Sequence, residues 1–170
     1  MKKFSEKIKN NKGFSLVELI VVVAIMAVLM AVLVPTLVRN VEKTRVQKDK
    51  SAIAEVRQSI ITAMAQEKFQ DAKASTSGAS VSSGKFSIAA LFDSSDTTSA
   101  SLATEVETTI GATTVSLSSS MNKSCTVKIV EIDTRKGKCT IQVDAQGTEN
   151  DFYIDVEGEH TGLYTGGATT

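Results

Sequence analysis

Three residues near the N-terminus have types and positions that could do chemistry: Gly13, Phe14 and Glu18. Glu18 is the single charge in the apolar run of residues 14–38, and a charge at the centre of a membrane helix costs roughly 2.5 to 3.5 kcal/mol. A chain that began at Phe14 would carry a cationic α-amine. That amine, ~4 Å from Glu18 of a neighbouring copy, would contribute about 4 kcal/mol at an effective dielectric constant of about 20. The pattern therefore favours a charge pair between copies.

A local role for Glu18 stays open beside that one. Ser15 and Glu18 have the spacing of a capping box, in which the two side chains satisfy amides at the start of a helix. This alternative needs no second copy of the chain.

The element that must position these residues is a membrane helix. Residues 16–34 give 19 helical residues, ~28 Å long against the ~30 Å hydrocarbon layer of a bilayer. A secretory signal peptide has an apolar core of about 7–15 residues and a small-residue cleavage site after it. This run is too long, and Gly13 precedes it. Cleavage there would leave the anchor attached to the mature chain.

The segment KGFSLVELIVVVAIMAVLMAVLVP resembles the N-terminus of a type IV prepilin. The likeness rests on Lys12-Gly13, on Phe14 as the new first residue, on Glu18 as the fifth mature residue and on Pro35 as the twenty-second. It covers residues 8–60 or so. The family includes pilins and the pseudopilins of secretion and competence machines.

The resemblance implies cleavage after Gly13 by a prepilin peptidase on the cytoplasmic side, N-methylation of Phe14, and polymerisation by an assembly ATPase on an inner-membrane platform. It also implies a flexibility point at Pro35, whose missing amide should loosen the helix. Basic residues are tied at five on each side of the span. The implied cytoplasmic leader therefore places the C-terminal part of the chain, the head, outside the cell. The protein would first be a single-pass protein of the cytoplasmic membrane and later part of an extracellular filament.

The predicted fold is α+β, the type IV pilin fold. Its segments are a leader (1–13), a transmembrane and filament-core helix (14–38), an amphipathic helical half (39–72) and a head of loop and antiparallel sheet (73–170). The helix should run from about 15 to 70. Its apolar stripe has helical spacing, and Asp49 is expected mostly off it. The stripe consists of Val46, Ile53, Val56, Ile60 and Met64.

The head shows a serine-rich loop and alternating strands. Residues 75–84 read as the loop, and residues 87–92 and 102–110 each as a short helix, the second stopped by Gly111. Residues 126–133 and 138–144 predict a hairpin around a turn at 134–137. Segments 114–117 and 152–156 could add outer strands, which gives a sheet of three or four strands laid on the helix stripe.

The hairpin bears on the two cysteines. Cys139 should face Ile132, which leaves Cys125 about 20 Å away along the strand, whereas a disulfide needs Cα atoms within ~7 Å. A disulfide between Cys125 and Cys139 remains possible only if Cys125 has left the strand and turned back. Many pilins bracket a C-terminal loop with cysteines, but 31 residues follow Cys139, so that precedent transfers poorly.

Catalytic and metal-binding patterns are sparse. His160 is the only histidine and is expected in a solvated loop. An acidic cluster near it is a candidate calcium site by resemblance to some pseudopilins, but it matches no EF-hand pattern, and a solvated acidic loop is the favoured interpretation. We expect no enzyme, no cofactor and no metal site. The cluster consists of Asp144, Glu149, Asp151 and Asp155.

Charge is divided unevenly along the chain. Residues 1–70 hold 12 basic and 6 acidic residues, whereas residues 71–170 hold 7 basic and 13 acidic ones. The acidic head disfavours general nucleic-acid binding.

The expected function is a structural subunit of a surface filament that serves adhesion, motility or biofilm formation. A pseudopilin of a type II secretion or competence apparatus is the alternative within the family. A monomeric membrane-anchored binding protein or adhesin is the alternative from another class.

Overall fold

The computed structural model describes residues 14–145, 151–155 and 157–162. The chain divides into two compact units at the Asn40–Val41 bond. The long helix α1 spans Leu16–Met64. The predicted helix extended to about residue 70, but Gln66 adopts an extended backbone and a 3₁₀ turn, Glu67–Phe69, follows it. This turn buries Phe69, so the chain leaves the helix just before this ring enters the core.

The C-terminal part of α1 packs on an antiparallel sheet, so the α+β layout is confirmed and is consistent with the pilin fold. The predicted stripe supplies four buried residues, Ile53, Val56, Ile60 and Met64. Asp49 is also fully buried, so its expected place off the stripe is wrong.

The predicted hairpin is confirmed. Strands β4 (Thr126–Asp133) and β5 (Lys138–Asp144) pair antiparallel with Ile132 opposite Cys139, and a bulge interrupts the register between Ile129 and Glu131. At the turn, the Asp133 carboxylate accepts hydrogen bonds from the amides of Arg135 and Lys136. Gly137 has φ +63°, a conformation that costs glycine little.

Within the part of the chain that the structure describes, the main sheet has five strands, where three or four were predicted. Its order is β1-β4-β5-β6-β7, where β1 is Ala79–Ser80, β6 is Phe152–Ile154 and β7 is Glu159–Thr161. Strand β6 lies in the predicted segment 152–156, of which residue 156 is outside the described residues. Strands β1 and β7 are too short and polar to show an alternating pattern, which is why the sequence did not reveal them.

The predicted outer strand at 114–117 is misplaced. Strand β3 (Thr114–Ser116) pairs with β2 (Lys85–Ser87) in a separate two-stranded sheet. The helix expected at residues 87–92 is only a 3₁₀ turn, Ala89–Leu91, that follows β2. A run this short makes one hydrogen-bonded turn and cannot propagate as an α-helix.

Helix α2 covers Thr97–Ile110 and ends as predicted at Gly111, which has φ +76°. It begins five residues earlier than the predicted segment because Asp96 caps it. The Asp96 carboxylate accepts a 2.9 Å hydrogen bond from the Ser99 amide. Such caps stabilise a helix by ~1 kcal/mol. Leu102 and Val106 bury the apolar face of α2.

Cys125 and Cys139 are free thiols, and both are buried. Cys125 directly precedes the end of β4 that pairs with Asp144, whereas Cys139 lies at the other end of the hairpin, opposite Ile132. The disulfide considered from the sequence is therefore not formed. Burial raises the pKa of both thiols to about 12.

Candidate processing and assembly segment

The start of α1 shows the local contact that the capping box predicts. The Glu18 carboxylate accepts a 2.9 Å hydrogen bond from the Ser15 amide, and the Leu19 amide bonds to the Ser15 carbonyl at 3.2 Å. Phe14 is 88% exposed just before the helix. Gly13 lies outside the described residues. The local role of Glu18 therefore exists within one chain, while its pairing with a second copy stays a prediction.

The first half of α1 displays an apolar surface that the described residues leave uncovered. Its large apolar side chains, from Leu16 to Val41, are between 41% and 72% exposed. Among the residues that the structure describes, α1 is the one helix long and apolar enough to cross a membrane, by length and composition. In water such a surface is unfavourable by roughly 25 cal/mol per Å². It therefore needs lipid or other apolar helices around it.

Pro35 lies inside α1, which the structure continues on both sides of it. The Thr36 hydroxyl donates to the Val32 carbonyl at 3.2 Å. The role of Pro35 as a flexibility point stays a prediction.

Two carboxylates on the second half of α1 hold the segment of residues 118–122, which we call the serine clamp. Glu42 accepts three hydrogen bonds from it, at 2.6 Å from the Ser119 hydroxyl and at 2.8 and 2.9 Å from the Ser120 amide and hydroxyl. The Ser119 hydroxyl bond, with those from Ser120, lowers the pKa of Glu42 to about 2. Glu42 therefore stays charged over the physiological pH range.

Asp49 is the second carboxylate that binds the serine clamp, and it is fully buried. It accepts hydrogen bonds from the Ser118 amide, from the Ser119 amide at 3.0 Å and from the Asn122 side-chain amide at 2.8 Å. A buried carboxylate is tolerated only where donors replace its water. The serine clamp supplies those donors and fixes the loop before β4 on the helix.

The sequence contains a signal for these contacts that the predicted apolar stripe did not include. Glu42 and Asp49 occupy positions that continue the core stripe about three turns and one turn before Ile53, because residues 42, 46, 49 and 53 follow intervals of 4, 3 and 4. A carboxylate at a stripe position indicates a buried acid with dedicated donors. The run Ser118-Ser119-Ser120 is rich in such donors.

Two further contacts fasten α1 to the sheet. Arg57 Nε donates to the Cys139 carbonyl at 2.7 Å. Lys50 Nζ lies 3.6 Å from Glu159 and 5.6 Å from the centre of the Phe152 ring. These two cationic side chains extend from α1 to β5, β6 and β7, so the sheet contacts the helix at more than one point along its length.

His160 lies in strand β7, which corrects its expected place in a solvated loop. Its ring stacks on Tyr153 with centroids 4.8 Å apart, and its Nε2 lies 3.2 Å from Asp155. The ring is half-buried because β7 is the last strand of the main sheet.

Two acidic residues of the predicted cluster, Asp151 and Asp155, accept hydrogen bonds from nearby backbone amides. Asp155 accepts from the Glu157 and Gly158 amides, and buried Asp151 accepts from the Ala145 amide at 2.6 Å. Asp151 is thus not solvated as expected. Glu149 is outside the described residues. Across residues 14–145, 151–155 and 157–162, no group of three or more His, Cys, Asp or Glu is placed to hold a metal ion.

Residues 8–34 match the family model described as the prokaryotic N-terminal methylation motif. The matched residues include Gly13, Phe14 and Glu18, and they extend into the apolar first part of α1. No curated protein and no solved structure matches the chain significantly.

The motif supports a prepilin-like class III signal peptide, and the apolar helix fits a membrane-anchored precursor. The motif supports a type IV pilin-like or pseudopilin precursor, and it implies processing by a prepilin peptidase and assembly at the membrane.

Proposed function

We propose that this chain is a structural subunit of a type IV pilus, a helical homopolymer on the cell surface. The precursor is stored in the cytoplasmic membrane with its head outside, is cleaved after Gly13, is N-methylated at Phe14 and is then polymerised. The observation that carries the proposal is the methylation motif at residues 8–34, continuous with an exposed apolar helix. The chain is not proposed to be an enzyme.

The apolar surface of α1 supplies the physical reason for assembly. Lipid covers this surface in the stored precursor, and the helices of other copies cover it in the filament. Neighbouring helices in a filament cover the same apolar area that lipid covers in the membrane. The hydrophobic effect therefore does not oppose transfer of the helix from the membrane to the filament. The assembly platform and its ATPase then drive extraction in one direction.

Glu18 sets the axial register between copies in this proposal. A carboxylate can accept about four hydrogen bonds, so the bond from the Ser15 amide and a pair with the α-amine of a neighbouring Phe14 can coexist. The pair forms only after cleavage, because Phe14 has no α-amine while Gly13 is attached. Processing thereby becomes a condition for assembly.

A pseudopilin role is the second candidate, since the same motif serves both. The rival from another class, a monomeric membrane-anchored binding protein, has no use for a cleaved Gly13–Phe14 bond.

The decisive experiment compares sheared surface filaments and membrane fractions from cells with the wild-type chain, Gly13→Val and Glu18→Ala. We expect filaments whose chain begins at methylated Phe14 by mass spectrometry, full-length membrane protein for Gly13→Val, and processed protein with strongly reduced filaments for Glu18→Ala. Glu55→Ala, an exposed acid farther along α1, is the matched control. Normal filaments from Glu18→Ala would refute the charge pair, and absence of the wild-type chain from filaments would refute the pilus role.

A further inference from the structure

A small polar cleft lies on one face of the main sheet. Its volume is about 180 Å³, and every residue that lines it is polar. We call it the sheet cleft. Its lining consists of Thr76, Ser77, Thr126, Lys128, Gln142 and Asp144.

The register of the sheet places the floor of the cleft. Thr126 lies opposite Asp144, and Lys128 lies opposite Gln142, on neighbouring strands β4 and β5. Successive side chains on a strand alternate between faces. The buried Val127 between these residues therefore points to the core face, and the four polar residues share the opposite face.

The wall of the cleft is fixed by the backbone. Gly78 has φ +70°, and a Cβ atom there would lie 2.6 Å from Lys128 Cβ and 2.7 Å from the Val127 carbonyl oxygen. The loop that carries Thr76 and Ser77 thus passes directly over β4, where only glycine fits. Strand β1 then pairs with β4 through Ala79 and Val127, which anchors the loop.

The polar surface extends beyond the cleft along one row of the sheet. Gln142 lies opposite Tyr153, and Tyr153 lies opposite His160. The row therefore continues from Lys128 and Gln142 to the stacked rings of Tyr153 and His160. A ligand longer than one unit could follow this row from β4 to β7.

The chemistry of the lining selects the class of ligand. A phosphate would face the Asp144 carboxylate, and a metal ion would face the Lys128 ammonium, so like charge disfavours both. An apolar ligand would find no apolar side chain. The hydroxyl groups of a ligand can both donate and accept hydrogen bonds. Such a ligand therefore matches a lining of hydroxyl groups, an amide, a carboxylate and an ammonium group.

We propose that the sheet cleft binds one unit of a neutral saccharide. Its volume lies below the ~300–1,000 Å³ of sites for drug-sized ligands, which limits the occupant of the cleft itself to a single sugar ring. This proposal does not depend on filament formation and holds equally for a pilin, a pseudopilin or a monomeric anchored protein.

The test applies the full chain, in a zwitterionic detergent without a sugar headgroup, to immobilised glucose, galactose, mannose and N-acetylglucosamine oligosaccharides. We expect binding to at least one of them. The double variant Gln142→Ala/Asp144→Ala should bind roughly tenfold more weakly or worse, because about two hydrogen bonds are lost. Sodium phosphate and calcium chloride should not compete.

A second pair of variants keeps the proposal testable if the strand variant fails to fold. Thr76→Ala/Ser77→Ala changes only exposed loop hydroxyls and should also weaken binding several-fold. Its matched control is Thr114→Ala/Ser116→Ala, two exposed positions on the separate small sheet, which should leave binding unchanged. Absence of binding to all four sugars, equal binding by the cleft variants and the wild type, or competition by phosphate or calcium would overturn the proposal.

Discussion

Replacing Asp49 with alanine should destabilise the head more than any other single acid-to-alanine change on α1. Asp49 is fully buried and accepts hydrogen bonds from two backbone amides and the Asn122 side chain. Asp49→Ala removes both acceptor oxygens and leaves the three donors in place. The residue Asn122 is itself buried, so water cannot readily replace the carboxylate there.

The expected magnitude follows from these donors. A buried donor without a partner costs about 1–3 kcal/mol, and removal of one partner from a buried charged contact costs about 3–5 kcal/mol in all. We take the second figure for the whole site, because Ser118 is only half-buried and can recover some hydration. For a chain of this size, that loss corresponds to a Tm lower by about 6–20 °C.

The assay should report on the head and not on the helix in detergent. Cys139 is fully buried next to the hairpin turn, so the rate of its reaction with a thiol-reactive dye, against temperature, follows unfolding of the sheet. Glu55→Ala is the control, an exposed acid on the same helix, and should change Tm by little. Equal melting of Asp49→Ala and Glu55→Ala would refute the stabilising role of the serine clamp.

Two further predictions concern the same unit. The hydrogen bonds that lower the pKa of Glu42 to about 2 stabilise the fold fully above about pH 4.5 and are lost as pH falls toward 2. Acid unfolding should therefore be less steep for Glu42→Gln than for the wild type over that window, and parallel acid curves would contradict this. Because burial raises the pKa of Cys125 and Cys139, iodoacetamide at about pH 8 should modify neither thiol in the native chain and both in denaturant. Protection of both thiols in denaturant would instead reveal a disulfide.

Sequence patterns predicted the elements whose periodicity is long. The apolar stripe of α1 and the alternation of β4 and β5 each extend over many residues, and the hairpin register followed from its turn, down to Cys139 opposite Ile132. The capping contact of Glu18 followed from a four-residue motif. In each case, local spacing alone determines the structure.

Elements that depend on distant partners were not predictable in this way. Strand β1 has two residues, and it forms because Gly78 lets the preceding loop lie on β4. Strand β3 alternates as an outer strand would, but it pairs with β2 in another sheet. The choice between partners depends on tertiary packing, which a single strand pattern does not encode.

The clamp also changes how the charge of the helix should be read. Residues 41–50 hold four basic and two acidic residues, and both acids, Glu42 and Asp49, bond to the serine clamp. Lys43 and Lys48 remain exposed. The surface just after the apolar run is therefore more cationic than the sequence count suggests, because the head uses the acidic side of the helix for its own docking.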